Sequence, residues 1–174
     1  MLLKLFGIGA LAGLFGACTG KSSLALRQGD RLPEVELFNL EGGVVSLSAY
    51  SGAALVLNFW ASWCDPCRRE MPSLQKLSKL FIPDQLVVVG VTVDSDVNLA
   101  REFILQHGLA FPMLSDRDMK ISNEIFGIKG FPMTYLLTLD RAVARVIAGE
   151  RNWVEPKSIE EIESLLGVRR IQAA

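Results

Sequence analysis

Cys64 and Cys67 stand in a C-x-x-C spacing with Pro66 inside it, directly after an apolar run. Such a pair can form a small disulfide ring that opens and closes easily, and its flanks set where the ring sits. The preceding Ala54-Leu55-Val56-Leu57-Asn58-Phe59-Trp60 is rich in β-branched, aromatic and apolar residues, the pattern of a buried strand. Downstream, Cys67, Met71, Leu74, Leu77 and Phe81 recur at helical spacing. The pair therefore lies at a strand-to-helix junction, with Cys64 near the helix N-terminus. Free backbone N–H groups and the positive end of the helix dipole stabilise a thiolate there. This is the setting of a redox-active thiol.

Other uses of a C-x-x-C fit less well. A structural zinc site takes about four ligands, and Cys18, Cys64, Cys67 and His107 are the chain's only cysteines and histidine. A c-type haem attachment needs C-x-x-C-H, and Arg68 holds the histidine position. An inert structural bridge remains open, although so short a ring removes little entropy from the unfolded chain.

The string Asn58-Phe59-Trp60-Ala61-Ser62-Trp63-Cys64-Asp65-Pro66-Cys67-Arg68-Arg69-Glu70-Met71-Pro72 resembles the thioredoxin-fold lipoproteins and membrane-tethered reductases of the TlpA/ResA type. Gly130-Phe131-Pro132-Met133-Thr134 follows where thioredoxin folds place their cis-proline loop. The likeness spans roughly residues 30–167. It implies an α/β fold: a thioredoxin-like mixed sheet flanked by helices, with an N-terminal β-hairpin extension and a strand–helix insertion before the cis-proline loop. It also implies thiol–disulfide exchange.

The first residues differ in kind. Lys4 precedes thirteen uncharged residues, Leu5 to Ala17, too few for a comfortable membrane span but right for a signal-peptide hydrophobic region. The stretch Leu14-Phe15-Gly16-Ala17-Cys18 resembles a bacterial lipobox, with Phe15 where leucine is more usual. Cys18 would then become the lipidated N-terminus. A signal cleaved elsewhere and an uncleaved anchor are the alternatives, and each places the domain outside the cytoplasm. Disulfides persist there, so a reductase needs an electron supply. The expected division is a signal peptide at 1–17, a lipidated tether at 18–30, the thioredoxin-like domain at 31–168 and a tail at 169–174. A formal net charge of −1 and scattered basic residues exclude a nucleic-acid tracking surface.

Within the domain, residues 35–38 and 44–47 read as a hairpin turning at Gly42-Gly43. Strands are expected at 54–60, 86–93, 134–139 and 143–148, and helices at 65–82, 97–107 and 156–166. Pro72 falls inside the first helix, while Gly108 and Gly167 stop the other two. The insertion reads as a strand at 111–114 and a helix at 118–126.

Cys64, N-terminal and more accessible, is the expected nucleophile, and Cys67 the resolving thiol. Asp65 and Pro66 tune the pair: a carboxylate beside Cys64 repels its thiolate and favours the reducing side, unless solvent screens it to little effect. In the resembled family the acid at the Glu70 position handles protons. Asn58 cannot titrate, so Glu70 is the candidate general acid or base, the plain alternative being an exposed helix carboxylate. Pro132, expected cis, offers no N–H to compete for thiol or substrate. Trp63 and Phe131 are expected to touch substrate, Trp60 to be core and His107 to cap a helix. No cofactor or metal is expected.

The leading function is reduction of disulfides in client proteins, such as apocytochrome c before haem attachment or a copper-site protein before metallation. A membrane thiol-transfer protein would resupply electrons. A disulfide oxidase or isomerase is the alternative. A copper metallochaperone, which typically uses C-x-x-x-C and a distal histidine, and a thiol peroxidase, which needs P-x-x-x-T-x-x-C, match less well.

Overall fold

The structure, a computed structural model, describes residues 25–171. Seven strands form one mixed sheet in the order β2-β1-β5-β4-β3-β6-β7. The strands are β1 (Glu36–Asn39), β2 (Val44–Ser46), β3 (Ala54–Trp60), β4 (Leu86–Thr92), β5 (Met113–Ser115), β6 (Met133–Leu137) and β7 (Val143–Ala148). The helices are α1 (Asp65–Leu77), α2 (Val97–His107), α3 (Lys120–Glu124) and α4 (Pro156–Leu166).

β3 is central because every one of its seven residues is buried. It pairs parallel with β4 and antiparallel with β6. Side chains alternate across a strand, so β3 feeds two cores. Val56 and Trp60 join Met71, Leu74, Leu77 and Trp153 on one face. Leu55, Leu57 and Phe59 join Leu37, Phe126 and Tyr135 on the other. Asn58 shares the face of Val56 and Trp60, which turns a buried amide toward α1. On that face, β4 carries Gly90 where a Cβ would sit 2.5 Å from Met113 Sδ and 3.2 Å from Trp60 Nε1. Glycine there makes room for the Trp60 ring.

Several elements match the sequence reading closely. β3, α2 and α4 have the expected bounds, and Gly108 and Gly167 close the two helices with left-handed backbone. The differences are local. α1 stops at Leu77 rather than 82, and its last turn tightens through i→i−3 bonds from Lys79 and Leu80. Phe81 still reaches the core, buried but not helical. The residue before a proline is disfavoured in helix, and Pro83 ends the option just beyond. β4 ends at Thr92 rather than 93, and β6 runs 133–137 rather than 134–139, leaving Leu139 exposed.

The insertion is smaller than expected. β5 occupies 113–115, and α3 only five residues. The Asp116 carboxylate holds α3 by accepting from Ile121 N, Ser122 N and Ser122 Oγ.

The folded body also begins before residue 31. Leu26 is buried, and its N–H donates to the Ile125 carbonyl. Gly29 N donates to Val143 O, while Val143 N donates to Asp30 O. The polar composition of this segment hides its anchoring. At the other end, residues 169–171 are likewise bound: Arg169 N meets Gln85 Oε1, and Ile171 N meets Leu80 O.

Candidate active site

Cys64 is the N-cap of α1, with extended backbone, and its Sγ accepts the Cys67 N–H at 3.3 Å. Asp65 and Pro66 begin the helix, where the missing proline N–H costs nothing because the first-turn donors have no intrahelical partner. Cys64 and Cys67 are joined as a disulfide. Cys64 keeps 6% of its surface exposed and Cys67 none. Of the two cysteines, Cys64 alone keeps exposed surface through which an incoming group could approach.

The turn before Cys64 is held from beneath. The buried Asp94 carboxylate accepts from Ser62 N at 3.0 Å, Ser62 Oγ at 2.8 Å and Thr92 Oγ1 at 2.6 Å. Trp63 thus projects from a fixed turn, 63% exposed. Its ring meets Phe131 edge-on, with centroids 6.0 Å apart. The Phe131–Pro132 bond is cis. Trp63 and Phe131 form an aromatic rim flanking the cysteine turn and the proline loop.

Glu70 is not an exposed helix carboxylate. It is 1% exposed, one turn beyond Cys67 on α1. Its Oε1 accepts from Asn58 Nδ2 at 2.8 Å. Its Oε2 accepts from Trp153 Nε1 at 3.0 Å and Arg151 N at 3.2 Å. Burial pushes its pKa up from 4.5 to about 7, outweighing the three donors that pull it down. A carboxyl poised near neutrality can accept or donate a proton there.

Asp65 behaves differently. Its side chain is 80% exposed and lies 4.0 Å from the Arg68 guanidinium. Exposed pairs of this kind contribute little, and solvent surrounds the Asp65 carboxylate. Trp60 is fully buried, as expected. His107 lies in the last turn of α2, stacked on Phe103, with Nδ1 2.9 Å from the Phe103 carbonyl oxygen. Cys18 lies outside the described residues.

Trp153, Arg151 and Asp94 were not legible as site residues. Trp153 sits 83 positions from Glu70, in the segment between β7 and α4, and no local pattern marks it.

The AhpC/TSA family model matches residues 28–145. The chain belongs to the AhpC/TSA family. Within it, the chain is 32% identical to Thiol-disulfide oxidoreductase ResA of Geobacillus thermodenitrificans, over 86% of this chain and 82% of that protein. It is 36% identical to Thioredoxin-like protein YneN of Bacillus subtilis, over 67% of this chain and 69% of that one. A putative thiol:disulfide interchange protein DsbE from Chlorobium tepidum superposes with a TM-score of 0.66 at 30% identity, covering 80% of this chain and 95% of that one. This AhpC/TSA member is a thiol–disulfide oxidoreductase of the ResA/DsbE type, with a thioredoxin-like fold and Cys64–Cys67 as its disulfide.

Proposed function

We propose that the protein works outside the cytoplasm, tethered to a membrane through lipid on Cys18, and reduces disulfides in client proteins. The observation that carries the direction is Glu70, a carboxyl buried one turn from Cys67. When ionised, it disfavours a neighbouring thiolate and so makes the reduced pair a readier electron donor. The exposed Asp65 adds a small push the same way.

The Cys64 thiolate attacks one sulfur of the client disulfide and releases the other as a thiolate. Cys67 passes its proton to Glu70 and attacks the Cys64 sulfur. That step forms Cys64–Cys67 and frees the second client thiol. Two electrons pass to the client without a cofactor, and its two thiolates take up protons, one returned by Glu70 and one from water in place of the proton Cys64 lost on ionising. Trp63, Phe131 and Pro132 present the client strand to Cys64. A membrane thiol-transfer protein reverses the exchange and restores the dithiol. Suitable clients are proteins whose paired cysteines must be free before haem or copper is attached.

Stoichiometric reduced protein should cleave the disulfide of an oxidised C-x-x-C-H peptide, while the oxidised protein should leave the reduced peptide largely untouched. The opposite preference contradicts the reductase reading. In a bacterial host, Cys18→Ser should move the protein from the membrane to the soluble fraction. Equal membrane retention after a high-salt wash, with no lipid mass on Cys18, contradicts the anchor. Among the described residues, no helix is long and apolar enough to cross a membrane.

A further inference from the structure

We propose that Trp153 is a positioning residue that fixes one oxygen of Glu70 as an acceptor and so directs the catalytic proton onto the other, Oε1. The inference rests on the reading of Glu70 as the proton-handling group.

The two carboxylate oxygens have unlike partners. Oε2 faces the Trp153 indole N–H and the Arg151 backbone N–H, both donors that cannot accept. A proton on Oε2 would meet two N–H groups head-on. Oε1 faces the Asn58 side-chain amide, which can turn over and offer its carbonyl oxygen. In the present orientation Asn58 Nδ2 serves Glu70 Oε1 and Thr134 Oγ1, and Asn58 Oδ1 is buried with no partner. Reversing the amide would let protonated Oε1 donate to Asn58 and Thr134 Oγ1 donate as well. The Asn58 side can thus serve either protonation state, with one buried amide atom unpartnered in each orientation, and the Trp153 side suits only an accepting oxygen.

Trp153 is held firmly enough for this task. It is fully buried, and its backbone N–H donates to Ser73 Oγ on α1 at 3.1 Å. The Arg151 guanidinium lies over its ring at 5.4 Å and is itself held by Ser158 and Glu161 of α4. Of the charged groups around Glu70, Arg151 turns toward Glu161, and Glu150 pairs with Arg69 at 2.7 Å while its charge adds to the upward push on Glu70. Asn58 on β3 and Thr134 on β6 are neutral.

The test compares the full-length protein with two altered forms, Trp153→Phe and a form whose Trp153 indole is replaced by its benzothiophene analogue, which removes the N–H alone. The Glu70 carboxyl carbon is followed by NMR across neutral pH in the oxidised state, and the rate of disulfide reduction is followed across the same range. Losing one donor to the charged form should raise the Glu70 midpoint by about one pH unit in both forms, and the rate profile should move with it. An unmoved midpoint in a folded variant overturns the proposal. A moved midpoint with an unmoved rate profile also overturns it; if Glu70→Gln then keeps the original rate profile, the failure lies with the role of Glu70 rather than with Trp153. Should neither altered form fold, the unaltered protein still decides. Its Trp153 indole N–H resonance should titrate with Glu70 and become flat in Glu70→Gln, and a resonance that is flat throughout contradicts the proposal.

Discussion

Cys67→Ser should turn the protein into a trap: Cys64 attacks a client disulfide, and the mixed disulfide accumulates because nothing resolves it. Cys64→Ser should instead abolish reduction down to background and form no mixed disulfide. Both follow from the geometry. Cys64 retains surface and caps α1, while Cys67 is enclosed. In the reduced protein, alkylation mapped by mass should mark Cys64 first. Faster labelling of Cys67, or covalent capture by the Cys64→Ser form, would reverse the two roles.

The second large effect concerns pH. Glu70 has a folded pKa of about 7 against an ordinary value of 4.5. Between those values the folded state binds a proton that the unfolded state has lost, so stability falls as pH rises through the window. Below it both states are protonated and the contribution is fully present. Above it the loss is complete, on the order of 3 kcal/mol. Glu70→Gln should remove this slope: similar to the native chain at low pH, more stable above neutrality. Urea unfolding of the oxidised proteins at several pH values measures it, and parallel pH curves would contradict the buried, protonatable carboxyl. The same variant should slow the release of the second client thiol by roughly a hundred-fold, the scale of one general base.

These two predictions draw on unequal parts of the sequence. Continuous apolar content identified β3 because a strand buried on both faces has no polar side to blur its ends. α2 and α4 were bounded by Gly108 and Gly167, residues that take left-handed backbone cheaply. α1 was drawn too long because Phe81 keeps the helical spacing and is buried, yet periodicity reports burial and not the hydrogen bonds that end a helix. The short α3 depends on Asp116 reaching forward to Ile121 and Ser122, a contact that apolar periodicity does not register.

The site shows the same division. Cys64, Cys67 and Pro132 were legible because their chemistry lies in residue type and local spacing. Glu70 was legible as a candidate, but its burial was not, since that depends on Asn58 from β3 and Trp153 from a distant segment closing over it. Asp65 is the converse case. Its place beside Cys64 is legible in the sequence, while the exposure of its side chain beside Arg68 is not.

The reductase assignment is tested most directly by the equilibrium of the Cys64–Cys67 pair against a glutathione redox series at neutral pH. The buried Glu70 and the exposed Asp65 both disfavour a stable thiolate, so the potential should lie on the reducing side, more negative than roughly −200 mV. A potential near −120 mV, the value of a strong dedicated oxidase, would contradict it.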